Sequence, residues 1–497
     1  MIAVLTGEQS RLADQAASEA LGLPSYALME LASKGLAEAV MARFARQAAA
    51  GVVVVCGPGN NGGDGFGCAR WLHRWGVPVS TWALTDASSG DAALAREAAR
   101  RAGVPTCEGL GRAGLIVDAV FGTGLSRPVQ GAYAQALLRM DTHPAPVVAA
   151  DLPSGLCADT GRVLGESLVA QHTVMFGAAR RGAYAGEGPA RCGSLTVVDL
   201  GFGEPQAGHA RLSEASAVAL RWPRRAATAH KGSSGRLLVI AGSEPMAGAA
   251  HLCCLGALAA GAGLVTLLTS RGALTRLGAL PPEVMVRVAG EGPVVELGRV
   301  RDLDAFDAVV AGPGLGGGAP LPPHTEMALA GLWASHPGAV VFDADALCAV
   351  QGQPRGARVV TPHPGEAGRM LRRSVAEVQA DRFGAVEALA GLAGVSGVAL
   401  LKGHRTLVAP RGGATWVNPT GGPALATGGT GDVLAGMVGA LLARGVSAAD
   451  AAMCGAYAHG LAGDALPEHG ARASDVAAAV PGAVSRLLAG ACAPDLS

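Results

Sequence analysis

The sequence has few aromatic residues and no excess of charge of either sign. Aromatic side chains make up 4% of its 497 residues, and 39 Lys and Arg residues balance 39 Asp and Glu residues. A neutral chain has no general electrostatic attraction for nucleic acid or an anionic membrane, and sites that stack single-stranded bases use aromatic side chains. We therefore expect small-molecule partners, with neither nucleic acid nor a membrane among them.

Several short motifs that would indicate a function directly are also missing. The 10 cysteines are scattered, and the close pair Cys253 and Cys254 lacks the two-residue spacer of zinc and redox motifs. No G-x-x-x-x-G-K-[ST] pattern occurs, which excludes a P-loop nucleotide site. The apolar run within Met1 to Ser10 is too short for a signal peptide, and scattered cysteines are typical of a reducing compartment. We expect a cytoplasmic protein.

One segment, Met246 to Leu268, is uncharged over a length that could cross a bilayer. It is dominated by Ala and Gly, and it ends in the β-like run Leu264 to Leu268. This pattern favours a buried helix followed by a strand over a membrane span.

Glycine and apolar residues are abundant instead. The chain contains 74 glycines and is 50% hydrophobic, with strand-like apolar runs alternating with segments of helical length in both halves. Such alternation is typical of parallel sheets covered by helices on both faces. The alternation lapses around Gly201 to Arg225, where we predict a domain boundary. The sequence therefore predicts two three-layer α/β domains, over residues 1–208 and 216–497.

A glycine-rich stretch follows the first strongly apolar strand, Gly51 to Cys56. We predict a loop over Gly57 to Gly65 and a helix over Phe66 to Trp75. The glycines of this loop match the dinucleotide pattern G-x-G-x-x-G, which would suit a nicotinamide-dependent dehydrogenase. The same spacing begins again at Gly312, so the pattern alone is weak evidence.

Oxygen-bearing side chains gather at the ends of neighbouring strands in the first half. Asn60, Asn61 and Asp64 lie in the glycine-rich stretch, and Asp118 and Ser154 come at the ends of later strands. Carbonyl, carboxylate and hydroxyl oxygens are suited to a hard cation such as potassium or magnesium. Each residue taken singly is also explained as a turn residue or a helix cap.

Two aspartates are candidates for proton transfer. Asp151 ends a buried strand beside the oxygen-rich cluster, where a partly dry carboxylate could act as a general acid or base. Asp432 lies in Ala426 to Gly436, where small residues precede a periodic apolar run. We predict an anion-binding turn leading into a helix, with Asp432 accepting the proton of an attacking hydroxyl. Both aspartates could also be ordinary helix caps.

Three further polar stretches in the second half accompany predicted strands. They are His230 to Gly235, Thr361 to Glu366 and Lys402 to Thr406. Lys402 and Gly403 could offer a cation and a closely approaching backbone amide to a nucleotide phosphate. Each of the three stretches could also be a solvated turn.

Taken together, these stretches resemble a known pair of enzyme families. The first half is similar to NAD(P)H-hydrate epimerase, and the second half to the ADP-dependent NAD(P)H-hydrate dehydratase of the ribokinase-like superfamily. The matching stretches are Pro24 to Glu30, Gly57 to Gly65, Val117 to Pro128, Asp151 to Gly155, His230 to Gly235, Gly261 to Leu264, Gly312 to Gly316, Thr361 to Glu366, Leu401 to Gly403 and Ala426 to Gly436. The resemblance implies a Rossmann-like N-terminal domain and a ribokinase-like C-terminal domain.

The resemblance also implies binding residues. Those around the hydrated nicotinamide nucleotide in the first half are Asn60, Asn61, Gly62, Gly63, Asp64, Gly122, Thr123, Gly124, Leu125, Ser126, Arg127, Pro128 and Asp151. Those assigned to potassium are Asn61, Asp118 and Ser154. In the second half the hydrate is expected near Ala262, Gly314, His363 and Asp432. The adenine nucleotide, with magnesium on its phosphates, is expected near Lys402, Gly403, His404, Arg405, Thr406 and Gly431.

The implied activity is repair of NADH and NADPH that have gained water across the nicotinamide ring. The first domain would interconvert the R and S hydrates, and the second would use ADP to dehydrate the S form, releasing AMP and phosphate. We also expect a homo-oligomer. The alternative interpretations are a small-molecule kinase with a non-catalytic nucleotide-binding N-terminal domain and, less favoured, a nicotinamide-dependent dehydrogenase.

Four positions depart from the usual pattern of these families. Cys157 stands where Asp is common, Ala179-Arg180 where a Pro-Lys pair is common, Gly422 where Asn is usual, and Leu31 where the helix often carries Asn. Because arginine holds its proton too firmly to replace a lysine acid or base, a proton-transfer role at Arg180 is not expected.

Overall fold

The computed structural model describes residues 2–201, 210–300, 302–352, 354 and 356–490. The chain divides into two compact units, one extending to Arg211 and the other beginning at Leu212. The predicted end of the first domain, at residue 208, lies outside the described residues.

The first unit alternates strands with helices along most of its length. Its strands are β1 (Val4–Leu5), β2 (Val52–Cys56), β3 (Val79–Ala83), β4 (Leu115–Ala119), β5 (Val147–Ala150), β6 (His172–Phe176), β7 (Ala179–Arg180) and β8 (Ser194–Val198). Its helices are α1 (Gly7–Leu21), α2 (Ser25–Ala49), α3 (Asn60–Arg74), α4 (Gly90–Arg101), α5 (Gly131–Asp141) and α6 (Gly188–Arg191).

Six of these strands form a parallel sheet in the order β3-β2-β4-β5-β6-β8, and β1 pairs with β7 in a second small sheet. The side chains of β2 alternate between two cores, as a strand that is buried on both faces requires. Val52 and Val54 pack with residues of α2, α3 and α4. Val53 and Val55 pack with residues of α5. The predicted three-layer α/β arrangement is therefore confirmed for the first unit.

The boundary of α3 differs from the prediction. The stretch Asn60 to Gly65, predicted as loop, forms the first turns of the helix. Glycine normally disfavours helix, but close packing requires it here. A Cβ added at Gly62 would lie 2.1 Å from the carbonyl oxygen of Gly57, and one at Gly63 would lie 2.7 Å from Met29 Sδ. Tertiary contact thus overrides intrinsic propensity at this site.

The second unit repeats the alternation on a larger sheet. Its strands are β9 (Ala210–Leu212), which spans the division between the units, β10 (Arg236–Ile240), β11 (Leu264–Thr269), β12 (Val284–Val288), β13 (Ala308–Ala311), β14 (Ala339–Phe342), β15 (Arg358–Val360), β16 (Gly397–Leu401), β17 (Leu407–Pro410) and β18 (Thr415–Val417). Its helices are α7 (Ala215–Arg221), α8 (Ala247–Ala259), α9 (Arg271–Arg276), α10 (Pro323–Ser335), α11 (Pro364–Leu371), α12 (Val375–Ala380), α13 (Arg382–Leu392), α14 (Thr430–Ala443), α15 (Ala448–Asp464) and α16 (Ala473–Leu488).

The ten strands follow the order β12-β11-β10-β13-β14-β15-β16-β17-β18-β9. Pairing is parallel from β12 to β16 and antiparallel from β16 to β18. Helices α8, α14, α15 and α16 share one core with the sheet. On another part of the sheet, the Trp333 ring of α10 lies 4.8 Å from the Phe342 ring of β14. This unit also has the predicted layered architecture.

Helices α8 and α14 pack with unusually close backbones. A Cβ added at Gly256 of α8 would lie 2.1 Å from the carbonyl oxygen of Val433, and one at Gly436 of α14 would lie 2.0 Å from that of Cys253. Two glycines thus permit direct contact between the helical backbones. Because Val433 follows Asp432, this contact fixes the start of α14 against α8.

The uncharged segment from Met246 to Leu268 contains α8 and β11, as predicted. Across the residues that the structure describes, no helix is both long and apolar enough to cross a membrane.

Candidate functional site

The first unit contains a cavity of about 1000 Å³ beside the carboxyl ends of β2, β4 and β5. Its wall includes residues predicted from the sequence, namely Asn60, Asn61, Asp64, Gly122, Thr123, Gly124, Leu125, Ser126, Arg127 and Asp151. Loops after neighbouring parallel strands converge at this edge, which is the usual ligand position in open α/β sheets. Gly62, Gly63 and Pro128 do not line the cavity.

Asp151 is held firmly at the edge of this cavity. Its backbone has a φ of 64°, which is unusual for a residue other than glycine. Carboxylate Oδ2 accepts hydrogen bonds from Thr123 N at 2.6 Å and from Thr123 Oγ1. Arg180 Nη2 lies 3.0 Å from Oδ1, and Arg180 Nε donates to Thr123 Oγ1 at 2.8 Å. Arg180 is therefore part of the structure that orients Asp151.

Gly122 and Asn61 complete the surroundings of Asp151. A Cβ added at Gly122 would lie 2.7 Å from Asp151 Oδ2 and 3.0 Å from Asn61 Oδ1, so a side chain would displace these polar groups. Neither polar atom of the Asn61 side chain has a hydrogen-bond partner within the described chain. An unsatisfied buried amide is a candidate for contact with a bound ligand, ion or water.

Asp118 and Ser154 lie behind the cavity wall, and both are fully buried. Asp118 Oδ1 accepts from Ser154 Oγ at 2.6 Å, and Oδ2 accepts from Ser154 N at 2.7 Å. Ser154 Oγ also accepts from Phe121 N at 2.8 Å. Burial raises the pKa of Asp118 to about 6, although these hydrogen bonds oppose the rise. Of the predicted potassium ligands, Asn61 has unused oxygen, whereas Asp118 and Ser154 bind each other.

Two further carboxyl groups line the cavity. Burial, reinforced by the charges of Asp151 and Asp14, raises the pKa of Asp64 well above its usual value, and Arg180 opposes the rise. The pKa of Asp14 is raised to about 6, mainly by burial. The thiol-bearing Cys157 also lines this cavity. The cavity therefore holds several side chains that could take part in proton transfer.

In the second unit, Asp432 lies in the first turn of α14. Gly429 precedes the helix with a φ of 93°, and Thr430 is the first helical residue. No residue that the structure describes donates a hydrogen bond to the Asp432 carboxylate. Burial raises the pKa of Asp432 to about 7, with Asp343 adding to the rise and Lys402 opposing it. A carboxylate with that pKa can accept a proton near neutral pH.

Lys402 connects this helix to a second set of carboxylates. Its Nζ donates to Asp343 Oδ1 at 2.7 Å and lies 3.9 Å from Glu366 Oε2. Burial lowers the pKa of Lys402, but these carboxylates outweigh it and the net shift is upward. A Cβ added at Gly431 would lie 3.3 Å from Lys402 Nζ. The positive charge of Lys402 therefore lies beside the helix start, where a phosphate would bind.

His363, Gly314 and Ala262, which are also expected near the hydrate, lie in different parts of the second unit. His363 caps α11, with Nδ1 accepting from Gly365 N at 3.0 Å, and Glu366 Oε2 accepts from His363 N at 2.8 Å. Gly314 has a φ of 65°, and its carbonyl accepts from Ser243 Oγ at 2.7 Å. Ala262 precedes β11 and is buried in the core at the opposite edge of the sheet. The structure does not bring Ala262 to the other residues.

The stretch after Lys402 forms a compact turn. Gly403 has a φ of 136° and faces Arg382, and Thr406 Oγ1 donates to the Gly403 carbonyl at 3.1 Å. Arg405 Nη1 donates to the carbonyl of Pro419. Burial and two nearby arginines lower the pKa of His404 to about 4. Among these residues, Lys402 is the one that reaches the carboxylates near Asp432.

The sequence did not identify Asp343, or the contact of Arg180 with Asp151, as parts of the candidate sites. Asp343 directly follows the apolar run Ala339–Phe342, which forms β14, so its position at a strand end could have identified it. The ion pair of Arg180 with Asp151 joins residues far apart in sequence, and no local pattern indicates it.

Comparison with known proteins agrees with the division of the chain into two units. The family described as YjeF-related protein N-terminus matches residues 25–182, and the family described as NAD(P)H-hydrate dehydratase matches residues 237–481. A crystal structure of the ADP/ATP-dependent NAD(P)H-hydrate dehydratase from Bacillus subtilis, co-crystallized with ATP and Mg²⁺, is 30% identical with a TM-score of 0.50. The match covers 56% of this chain and 99% of that chain, and it supports the predicted ribokinase-like fold of the second unit.

Similarity also extends over the whole chain. The bifunctional NAD(P)H-hydrate repair enzyme Nnr of Escherichia coli is 39% identical, with 92% of this chain and 88% of the relative covered. The enzyme of the same name from Moorella thermoacetica is 36% identical, with 95% and 94% covered. The chain therefore belongs to the family of bifunctional NAD(P)H-hydrate repair enzymes.

Proposed function

We propose that the two units catalyse successive steps in the repair of hydrated NADH and NADPH. The first unit interconverts the R and S hydrates, and the second uses ADP to convert the S hydrate back to the reduced nucleotide. The observation that carries the second step is the unpaired Asp432 carboxylate, with a pKa near 7, beside Lys402 at the start of α14.

In the second unit, Asp432 accepts the proton of the hydrate hydroxyl while that oxygen attacks the terminal phosphorus of ADP. The bond from phosphorus to the AMP oxygen breaks, and AMP leaves. The carbon–oxygen bond of the phosphorylated hydrate then breaks, phosphate leaves, and loss of a neighbouring ring proton restores the double bond. Lys402 and the amides of Gly428 to Gly431 stabilise the negative charge that develops on the phosphoryl group.

Magnesium fits this site chiefly through the donor phosphates. Across the described chain, no group of three or more His, Cys, Asp or Glu side chains is arranged to hold a metal. Asp343 Oδ1 is engaged by Lys402 and by Thr361 Oγ1 at 2.8 Å, and Asp345 Oδ2 by Gly316 N at 2.8 Å. Magnesium commonly binds through substrate phosphates with one or two carboxylates and water, and there it would neutralise phosphate charge.

In the first unit, Asp151 and Asp64, whose pKa is raised by burial, exchange protons with the hydrate in the cavity. Arg180 keeps its proton and orients Asp151, in place of the lysine common in related enzymes. Potassium is suited to the unsatisfied Asn61 oxygen, and Asp118 orients the Ser154 hydroxyl behind the cavity wall. The ion would supply a fixed positive charge near the phosphate or hydroxyl groups of the nucleotide.

The direct test uses each purified hydrate epimer with the full-length protein. The S hydrate with ADP and magnesium should regain the absorbance of reduced nicotinamide and release free phosphate and AMP. The R hydrate should follow only after epimerisation. A stable phosphorylated product without restored absorbance would instead identify a small-molecule kinase and would overturn the proposed dehydration.

A further inference from the structure

A buried arginine, Arg382, packs against the turn that follows β16. It is the first residue of α13, and its side chain is 5% exposed. Its Nη2 donates to the carbonyls of Leu401 and Arg405, at 3.4 Å each. A Cβ added at Gly403 would lie 2.9 Å from Arg382 Nη1, so the guanidinium lies directly against the backbone of this glycine. Arg382 therefore donates to both ends of the turn and contacts its middle.

The Arg382 guanidinium donates only to neutral oxygens among the residues that the structure describes. Besides the two carbonyls of the turn, Nη1 donates to Gln379 Oε1 at 3.0 Å. Burial lowers the pKa of Arg382 to about 10, so the group keeps its charge at neutral pH. A buried charge without an ion pair is costly, and replacing it by an apolar side chain is often stabilising. Stability alone therefore does not explain a guanidinium at this position.

The turn that Arg382 contacts carries Lys402. Lys402 follows Leu401 directly, and its Nζ lies beside Asp343 and the start of α14. The next residue, Gly403, has a φ of 136°. Because glycine is free to adopt many backbone conformations, the local sequence does not fix this turn. Contacts from outside the turn must hold it, and the planar fork of an arginine can donate to both of its ends.

We propose that Arg382 is a positioning residue of the second site, and that it holds the turn from Lys402 to Arg405 in the conformation that binds ADP. This inference rests on the proposed ADP-dependent function of that site. Without the guanidinium, the turn adopts its binding conformation for only a fraction of the time, and the apparent dissociation constant for ADP rises by the inverse of that fraction. Bound ADP orders the turn again, so kcat at saturating ADP is retained.

Arg358 provides a matched control. It is also fully buried, and its guanidinium donates to backbone carbonyls of the second unit. Burial lowers its pKa to about 10, as it does for Arg382. Arg358 pairs with Gly397 at the amino end of β16, about 13 Å along the strand from Leu401. Substitution of Arg358 thus removes a similar buried guanidinium far from the turn.

The test compares Arg382→Lys with Arg358→Lys in the full-length protein. Calorimetry without hydrate measures the dissociation constant for ADP with magnesium, below the unfolding temperature of each variant. Restored nicotinamide absorbance gives kcat and the KM for ADP. For Arg382→Lys we expect the dissociation constant and KM for ADP to rise about tenfold, with kcat within about twofold of wild type. Arg358→Lys should lower the unfolding temperature and bind ADP as the wild type does.

Gln379→Ala provides a second measurement that leaves the core intact. Gln379 is exposed, and its loss removes only the acceptor that holds Arg382 Nη1. This variant should fold and should weaken ADP binding about threefold. If Arg382→Lys does not fold, wild-type ADP affinity in Gln379→Ala would overturn the inference.

Wild-type ADP affinity in Arg382→Lys would also overturn the inference, as would an equal loss of affinity in Arg358→Lys. A fall in kcat at saturating ADP as large as the rise in KM would overturn it too, because bound ADP should order the turn. A wild type that dehydrates the S hydrate, with unaltered ADP affinity in Arg382→Lys, refutes only this inference. A wild type that does not bind ADP refutes the proposed function, and this inference with it.

Discussion

Asp151 and Asp432 are the candidate proton-transfer residues of the two units, and their surroundings differ in kind. Asp151 is engaged by Arg180 and by two groups of Thr123, on a backbone with positive φ. Asp432 has no hydrogen-bond donor from the described residues, and its pKa of about 7 is set by burial and by charges that do not contact it directly. One carboxylate is fixed by contacts, and the other is tuned by its environment.

This difference matches the demands of the two proposed reactions. A base that removes a hydroxyl proton during phosphoryl transfer works best with a pKa near the ambient pH and an unobstructed oxygen. An acid or base that serves both epimers of one carbon benefits instead from fixed orientation, because the substrate rather than the protein changes configuration. The comparison predicts that substitutions will have separable effects on the two activities.

The largest effect is expected for Asp432→Asn. Asparagine keeps the size of the side chain but cannot accept the hydroxyl proton, so the rate of ADP-dependent dehydration of the S hydrate should fall about 10²–10⁴-fold. Epimerisation should not change. Restored nicotinamide absorbance measures the first activity, and chromatographic separation of the epimers measures the second. Dehydration at the wild-type rate would exclude Asp432 as the base.

The next largest effect is expected for Asp151→Asn. Loss of the carboxylate removes both the proposed proton-transfer group and the counterion of buried Arg180, so interconversion of the epimers should slow about 10²-fold. ADP-dependent dehydration of the S hydrate should not change. Asp432→Asn is the control, because it should lose dehydration and keep epimerisation. If R-hydrate consumption in a coupled assay matches that of wild type, Asp151 is not the epimerase acid or base.

A smaller effect is expected for Gly122→Ala. The new methyl group would lie 2.7 Å from Asp151 Oδ2, so the carboxylate or the loop must shift. A displacement of this size should reduce epimerisation about tenfold, because small misplacements of reacting groups are costly. Gly109→Ala is the matched control, since a Cβ there meets no atom within 4 Å and Gly109 does not line the cavity. Equal epimerase rates for the two variants would show that the position of Asp151 is not critical.

The smallest effect is expected for the pH dependence of dehydration. Because Asp432 must be ionised to accept a proton, kcat/KM should rise as pH increases through about 7. Asp343 raises the pKa of Asp432, so Asp343→Asn should move this rise to lower pH by about one unit or less. The pH profile of epimerisation should not move with it. A profile that is flat around pH 7 in wild type would contradict the assigned pKa.

Much of the layered fold was predictable, because buried parallel strands are continuous apolar runs. The β-like run Leu264 to Leu268 forms nearly all of β11, and α14 follows its glycine-rich turn. The start of α3 was predicted incorrectly, since only packing against Gly57 and Met29 explains a helix that begins with glycine-rich sequence. Local propensity cannot report a contact that exists only after folding.

The sequence indicates which residues belong to the candidate sites, but it does not indicate which of those residues contact one another. Residues at strand ends, such as Asp151 and Lys402, could be identified because parallel strands bring their carboxyl ends to one edge. The ion pair of Arg180 with Asp151 and the partnership of Lys402 with Asp343 depend on tertiary distance. The roles of the individual ligand residues, including potassium binding at Asn61, therefore stay predictions.

The glycine contact between α8 and α14 has a consequence for how this chain can change. Gly256 and Gly436 face backbone atoms that cannot turn aside as a side chain can, so even alanine at either position would push the helices apart. In a library of random substitutions selected for dehydratase activity, these positions should accept almost no replacement, although neither is proposed to contact a ligand. Exposed neighbours such as Met246 should accept many. Substitutions in the second unit are thus restricted where α8 packs against α14 as well as at the proposed site residues.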